Sequence, residues 1–259
     1  MNIIGIIPAR LASSRLPNKP MAKILGMPMI GHVLLRSKMA TILSEVYVAT
    51  CDEEIMEYVK SIGGKAVLTS NAHERASDRT AEALLKIEQE TRKKVDIVVM
   101  IQGDEPMLTP GMIESAVKPL FDSEAVEITN LMSEIMTQEE HEDPAEVKVV
   151  VDLMNNALYF SREPIPSRKK GISDVRMLKQ VCIIPFRRNF LLKYNSMSQT
   201  PLEIIESVDM NRILENGIKI KMVMVPQEIY SVDTIEDLEK VNVKMKQDKL
   251  SVNYLNKQA

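Results

Sequence analysis

The sequence predicts an α/β fold built on a mostly parallel central sheet, followed by a smaller lobe of antiparallel strands. Three observations predict it. Through the first hundred residues, short apolar runs at 3–7, 45–50 and 95–101 alternate with longer stretches of helical spacing, the rhythm of βαβ units. The run 95–101 is nearly continuous in apolar residues, as a parallel strand covered on both faces must be. Beyond residue 121 the rhythm changes to strands with short connections, which suits antiparallel pairing.

The elements follow in order. Residues 3–7 are a short Ile-rich run and read as a buried strand. The segment after it holds prolines, two serines and no helical period, so it reads as a loop. Pro28 then opens a helix whose apolar spacing covers 29–35. A strand at 45–50 precedes a helix at 52–62, closed by Gly63-Gly64, and a third strand at 65–69. Residues 71–77 are polar and loop-like; 78–92 has helical spacing and leads to the central strand at 95–101. The second half reads as a helix at 110–121 and strands at 125–131, 147–152 and 157–161. An exposed, mobile loop over 162–175 carries Arg168-Lys169-Lys170, and a single strand covers 179–186. Residues 187–217 are mostly helical up to Gly217, 218–225 alternates as a strand, and 235–246 is a closing helix. The last dozen residues are polar and expected to be disordered.

Bulk properties exclude several classes. With 259 residues, 45% hydrophobic and 27% charged, the chain can build a sizeable core as one large domain, 1–259. A net charge of −3 argues against a sequence-independent nucleic-acid binder, so no nucleic-acid partner is expected. No apolar run is long enough to span a membrane, and Pro8 and Arg10 interrupt the N-terminal run where a signal peptide would stay apolar. Cys51 and Cys182 are too few for a disulfide framework and lack metal-ligand spacing, so a cytoplasmic, reducing setting is expected. Neither GxGxxG after the first strand nor a Walker A sequence occurs.

Chemistry concentrates where strands end. Ligands of open α/β sheets bind beyond the carboxyl ends of the strands, so Arg10, Arg15 and Lys19, following the first strand, stand where a polyanion would sit. The same residues could form a solvated basic turn. Gln102-Gly103-Asp104-Glu105-Pro106 follows the central strand and sets a carboxylate at the same edge. That suits Mg²⁺, which takes one or two carboxylates with phosphate oxygens and water. The alternative is a plain turn, since Gly, Asp and Pro are turn formers. Asp233, with Glu236 three residues on, has the spacing of a helix N-cap.

The stretch Pro8-Ala9-Arg10-Leu11-Ala12-Ser13-Ser14-Arg15-Leu16-Pro17-Asn18-Lys19-Pro20 closely resembles the signature of sugar nucleotidyltransferases, in the form carried by the 3-deoxy-manno-octulosonate (Kdo) cytidylyltransferases. Further blocks match in order: Gln102 to Pro106; Asp233 within a segment resembling Gly-Val-Asp-Thr-Pro-Glu-Asp-Leu; Lys148; Ser161 and Arg162; and Glu203 with Glu206. The resemblance implies a three-layer Rossmann-like nucleotidyltransferase fold, with residues of about 140–200 forming a dimerisation and acceptor lobe in a homodimer. It implies transfer of CMP from CTP to a hydroxyl of a Kdo-like acid, with Mg²⁺ as cofactor. In that reading Asp104 and Asp233 hold the metal, and Lys19 acts on the transferred phosphate. Pro8, Ala9, Arg10, Ser14, Arg15, Lys19, His73, Arg75, Ser77, Asp78 and Gln102 bind the nucleotide; Gln102, Arg162, Gln180 and Glu206 face the acceptor. Two segments depart. In the base loop, Glu74, Arg75, Ala76 and Ser77 replace Gln, Ser, Gly and Thr. In the acceptor strand, Gln180 and Ile184 stand where the family usually has His and Tyr, which leaves a different acidic acceptor open.

Overall fold

The computed structural model describes residues 1–13, 15–169, 171, 174–226 and 229–255. They fall into two compact units, Met1–Glu114 with Ile229–Ala259, and Ser115–Glu228.

In the first unit the chain runs β1 (Ile3–Ala9), a 3₁₀ turn (Lys19–Met21), a two-strand hairpin β2 (Lys23–Ile24) and β3 (Met27–Pro28), α1 (Met29–Ser37), β4 (Glu45–Thr50), α2 (Glu53–Ser61), β5 (Lys65–Leu68), α3 (Ala76–Thr91) and β6 (Ile97–Ile101). The unit's main strands lie in the order β6-β1-β4-β5, all parallel, with Ile3 beside Ile97 and Ile4 beside Glu45. Every residue of β6 is buried, as its apolar run requires. The order grows outward from β1 to β5 and then returns to the other side of β1. Right-handed crossovers place α1 and α2 on one face and α3 on the other, which makes three layers. The reversal falls between β1 and β6, so the ends of those strands form the switch point where such sheets bind ligands.

Local sequence explains the joints. Gly63, at φ 70°, closes α2 in a conformation that costs glycine little. The β2–β3 turn, Leu25-Gly26, has positive φ at both positions (48° and 84°). Leu25 is unusual there, and its N–H donates to Asn242 Oδ1 at 2.9 Å. Asn242 lies on α9 (Ile235–Met245), which packs Leu238, Val241 and Met245 against Ile24, Met29 and Val232.

Of the tail expected to be disordered, Lys249–Leu255 forms a helix, with Ser251 and Tyr254 buried, and residues 256–259 lie outside the described residues. Its reason is not local. Arg36, fully buried on α1, finds Asp248, Ser251 and Tyr254 as hydrogen-bond partners.

Between these parts of the sequence, α4 (Pro110–Asp122) leads into the second unit, with β7 (Thr129–Glu134), α5 (Gln138–Glu142), β8 (Lys148–Val151), β9 (Ala157–Ser161), β10 (Leu178–Val181), β11 (Ile183–Arg187), α6 (Arg188–Asn195), α7 (Pro201–Glu206), α8 (Met210–Glu215) and β12 (Lys221–Met224). One sheet runs β12-β7-β10-β8-β9, antiparallel except for the parallel pair β12–β7. The antiparallel lobe is therefore present. Three details differ from expectation. β7 begins at Thr129 rather than 125, because pairing with β10 and β12 selects its register. The run 179–186 breaks at Cys182 into two strands. α5 was not expected, since Gln-Glu-Glu-His-Glu has no apolar period; Thr137 caps it by accepting from the Glu140 N–H. Among the described residues, no helix is long and apolar enough to cross a membrane.

Candidate active site

The site is built at the switch point of the first unit. Beyond β1, Asn18 adopts a left-handed φ of 55°, tolerable for asparagine, and turns the chain into the 3₁₀ turn. Hydrogen bonds from Lys19 N to Leu16 O (3.2 Å), Met21 N to Asn18 O (2.8 Å) and Ala22 N to Lys19 O (3.1 Å) hold the lysine backbone. Its Nζ donates to Asp104 Oδ2 at 2.7 Å and to Asp233 Oδ1 at 3.0 Å. Arg15 Nη2 reaches the same Asp233 oxygen at 3.0 Å. Burial alone would lower the Lys19 pKa; the two carboxylates outweigh it and raise the pKa above its ordinary value.

Asp104 stands three residues past β6, and its carbonyl accepts the Val232 N–H at 3.0 Å, which ties the two carboxylate-bearing segments together. Asp233 is not the N-cap that its spacing suggested. The cap is Thr234, in a reciprocal box with Asp237: Thr234 Oγ1 accepts the Asp237 N–H at 3.2 Å, and Asp237 Oδ2 accepts the Thr234 N–H at 2.9 Å. The helix end is thus satisfied without Asp233, whose carboxylate turns to Lys19.

Around these groups lies a cleft of about 330 Å³. One side is Pro8, Ala9, Arg10, Ala12, Ser13, Arg15, Lys19 and Pro20; another is His73, Glu74, Arg75, Ala76 and Arg79; the floor is Gln102, Gly103, Asp104 and Asp233. Most of the expected nucleotide-side residues therefore meet in one place. Ser14 lies outside the described residues. Ser77 and Asp78 do not line the cleft: α3 begins at Ala76, two residues earlier than the spacing indicated, so both fall within its first turn and neither is its N-cap.

Arg79, absent from the expected set, organises the second wall. It is buried, and its guanidinium donates to Thr69 Oγ1 (2.6 Å), Ser70 O (3.2 Å) and His73 O (3.4 Å). His73 is anchored on Glu82, which also accepts the Ser70 N–H at 2.9 Å. Burial pushes Glu82 up, but hydrogen bonds from Lys86, Ser70 and His73 outweigh it and hold its pKa at about 2. The first wall has its own brace, Asp52 Oδ2 accepting the Leu11 N–H at 2.8 Å. In the sequence Arg79 directly follows the base loop, and nothing there marks it as buried.

A family model described as Cytidylyltransferase matches residues 4–220. The 3-deoxy-manno-octulosonate cytidylyltransferase of Geobacter sulfurreducens is 43% identical over 256 residues, 95% of this chain and 100% of the relative. The chain belongs to the Kdo cytidylyltransferase family. Its mitochondrial relative in Arabidopsis thaliana is 41% identical over 252 residues, 96% of this chain and 85% of that one. The structure of CMP:2-keto-3-deoxy-manno-octonic acid synthetase complexed with CTP superposes with a TM-score of 0.86 at 38% identity, covering 95% of this chain and 99% of that one.

For this family member the acceptor-side expectations can be placed residue by residue. Gln102 lines the cleft of the first unit. Arg162 and Glu206 meet in the second unit. Glu206 accepts from Tyr159 Oη (2.8 Å), Ser161 Oγ (2.9 Å) and the Arg162 N–H (2.7 Å). The Arg162 guanidinium donates to the carbonyls of Glu206 (2.9 Å), Pro144 (2.8 Å) and Ser207 (3.4 Å). Lys148, fully buried, donates to the carbonyls of Asp143 (2.8 Å), Glu146 (2.8 Å) and Arg162 (2.5 Å). The Gln180 side chain makes a different contact, its Nε2 donating to Asn130 Oδ1 at 2.6 Å.

Proposed function

We propose that this protein transfers CMP from CTP to a hydroxyl of the sugar acid Kdo, forming CMP-Kdo and pyrophosphate. The observation that carries the reading is the single ammonium of Lys19 bridging Asp104 and Asp233 at the switch point, beside Arg10 and Arg15. Phosphoryl transfer of this kind needs positioning and charge neutralisation more than covalent help. Arg10 and Arg15 hold the triphosphate, and Lys19 moves from the carboxylates to charge developing on the transferred phosphate. The His73 wall, braced by Arg79, takes the base. Gln102, in the same cleft, faces the acceptor.

Asp104 and Asp233 would hold Mg²⁺. The fit rests on their chemistry: an oxygen-only pair, close enough for one cation to touch both. Mg²⁺ takes one or two carboxylates and keeps water and phosphate oxygens as its other ligands, which a pair of this kind suits. When bound, the metal would neutralise phosphate charge and acidify the acceptor hydroxyl.

The protein acts as a homodimer in the cytoplasm. Exposed Leu153, Met154, Leu158, Ile204 and Ile205 in the second unit supply apolar surface for the subunit contact. Sedimentation at micromolar concentration checks this, and a monomer would refute it. Pyrophosphate release with CTP, Kdo and Mg²⁺, with the CMP-sugar identified by mass, tests the activity. A chain that binds CTP but releases nothing with any sugar acid overturns it. A second reading, the same transfer to another acidic acceptor, is favoured by Gln180 and Ile184.

A further inference from the structure

The polar cluster under α10, the Lys249–Leu255 helix, lies outside the cleft and takes no part in the chemistry above. Arg36 and His32 lie one turn apart on α1, both fully buried. The guanidinium of Arg36 donates in two directions. Toward the C-terminus, it donates to Tyr254 Oη (3.2 Å), Ser251 Oγ (3.2 Å) and Asp248 Oδ2. Toward the site, it donates to the carbonyls of Leu108 (3.1 Å) and Met107 (3.4 Å). His32 repeats the pattern: Nδ1 is 2.7 Å from Tyr254 Oη, and Nε2 is 2.8 Å from Ile24 O. Because Nε2 faces a carbonyl it carries the proton, so Tyr254 donates to Nδ1 and accepts from Arg36.

The carbonyls on the site side belong to the catalytic segments. Leu108 closes a turn with Glu105 (N to O, 3.2 Å), immediately after Asp104. Ile24 follows the turn that carries Lys19, and the Ala22 carbonyl between them accepts the Met29 N–H of α1 at 2.9 Å. Met107, Leu16, Ala22 and Leu25 also pack on the cluster that joins α9 to Val232, beside Asp233.

We infer that α10 is a positioning element of the cytidylyl-transfer site, acting through Tyr254, Arg36 and His32 on the backbones that carry Asp104 and Lys19. A buried guanidinium keeps its place only while its donors are satisfied. Three of the acceptors of Arg36 come from residues 248–254. Without them Arg36 must turn toward water, and it releases the Met107 and Leu108 carbonyls as it goes. The distance between the Asp104 carboxylate and the Lys19 ammonium then changes, although neither residue touches α10.

This inference rests on the activity proposed above. The test uses the full-length chain with Tyr254→Phe, Asp248→Asn and, as a control, Val59→Ala, which opens a cavity under α2 and lowers stability without touching the cluster. All are assayed well below their melting temperatures. Tyr254→Phe and Asp248→Asn are expected to lower kcat about tenfold with KM for CTP changed less than about threefold, since small misplacement of reacting groups costs rate rather than binding. Val59→Ala keeps wild-type kcat. Coupling of binding is reciprocal, so a KM change of up to about threefold corresponds to amide exchange in α10 of the wild type slowed by CTP with Mg²⁺ by up to about the same factor, and not in Tyr254→Phe. Wild-type kcat in both cluster variants, or α10 exchange indifferent to nucleotide in the wild type, overturns the inference. A wild type that releases no pyrophosphate with any acceptor overturns the activity instead, while the exchange measurement, which needs only binding, still decides the coupling.

Discussion

Replacing Lys19 by methionine keeps the length of the side chain and removes the charge that joins two carboxylates. The ammonium lies 2.7 Å from Asp104 Oδ2 and 3.0 Å from Asp233 Oδ1, with its side chain 15% exposed. A pair of unit charges about 4 Å apart interacts by about 4 kcal/mol at an effective dielectric of 20, much of it offset by desolvation. Hydrogen bonds to charged groups contribute about 1.5–3 kcal/mol net. Arg15 remains on Asp233 but is half exposed and compensates little. The expected loss in the ligand-free protein is therefore about 2 kcal/mol, seen as a melting temperature lower by about 4–8 °C for a chain of this size. Two further effects separate a transition-state role from a structural one. Turnover should fall about 10²–10³-fold, the usual cost of removing one group that stabilises developing charge, while KM for CTP rises by less than about tenfold. Mg²⁺ alone should raise the melting temperature of Lys19→Met more than that of the wild type, because the lysine no longer competes for the carboxylates. Pyrophosphate release and thermal scans across a Mg²⁺ series provide the assay. If KM alone rises, Lys19 is a binding group; if Mg²⁺ acts equally on both proteins, lysine and metal do not share a site.

Asp104→Asn and Asp233→Asn should each abolish most Mg²⁺-dependent turnover with an unchanged circular dichroism spectrum; near-normal turnover in either variant removes that carboxylate from the site. His32 should make the protein acid-sensitive: burial depresses its pKa from 6.5 to about 4, so below 6.5 the unfolded chain binds a proton that the fold refuses. Stability then falls as pH drops from about 6.5 to about 4, by about 3 kcal/mol in all from this group, and His32→Gln should flatten that slope in urea titrations. Arg79→Met should loosen the 69–76 loop and raise KM for CTP more than it lowers kcat; an unchanged KM would mean that the loop holds its shape without the guanidinium.

The legible parts of the fold are those whose cause is local. β4 and β9 match their expected bounds because a short run with turn signals on both sides admits one reading. The Lys19, Asp104 and Asp233 group was legible because each residue follows a strand or opens a helix, and topology brings such positions to one edge. What was missed has distant causes. α10 forms because Arg36, some 215 residues earlier, needs partners, and an arginine among apolar residues on a helix carries no sign of being buried. The spacing around Asp233 leaves cap and ligand both open, because Asp-Thr-Ile-Glu-Asp offers two overlapping capping frames; in the fold the frame that starts at Thr234 is used and Asp233 is left for Lys19. The break at Cys182 is invisible because the residues on both sides are equally apolar.

The segment expected to face the acceptor falls on two strands, and this allows a sharper experiment than the sequence did. Gln180 and Ile184 stand where the family usually has His and Tyr, and a paired change invites a paired reversion. Their surroundings separate them. Ile184 on β11 is 1% exposed. A tyrosine there adds a ring and a hydroxyl to packed space, at a cost of about 1–3 kcal/mol, so loss of activity in Ile184→Tyr would say nothing about the acceptor. Gln180 is only partly buried, and its amide donates to Asn130, which is itself buried and donates to the carbonyls of Val181 (2.7 Å) and Leu131 (3.0 Å). A histidine at 180 can make the same bond to Asn130 from one ring nitrogen and leave the other for a ligand. If Gln180 limits use of Kdo, Gln180→His should raise kcat/KM for Kdo by about two- to tenfold, the worth of one neutral hydrogen bond, and leave KM for CTP unchanged. The measurement is a panel of sugar acids, amino-substituted ones included, ranked by kcat/KM at saturating CTP. Should Kdo already lead the wild-type ranking and Gln180→His gain nothing, Gln180 serves the Asn130 contact alone and the acceptor is plain Kdo.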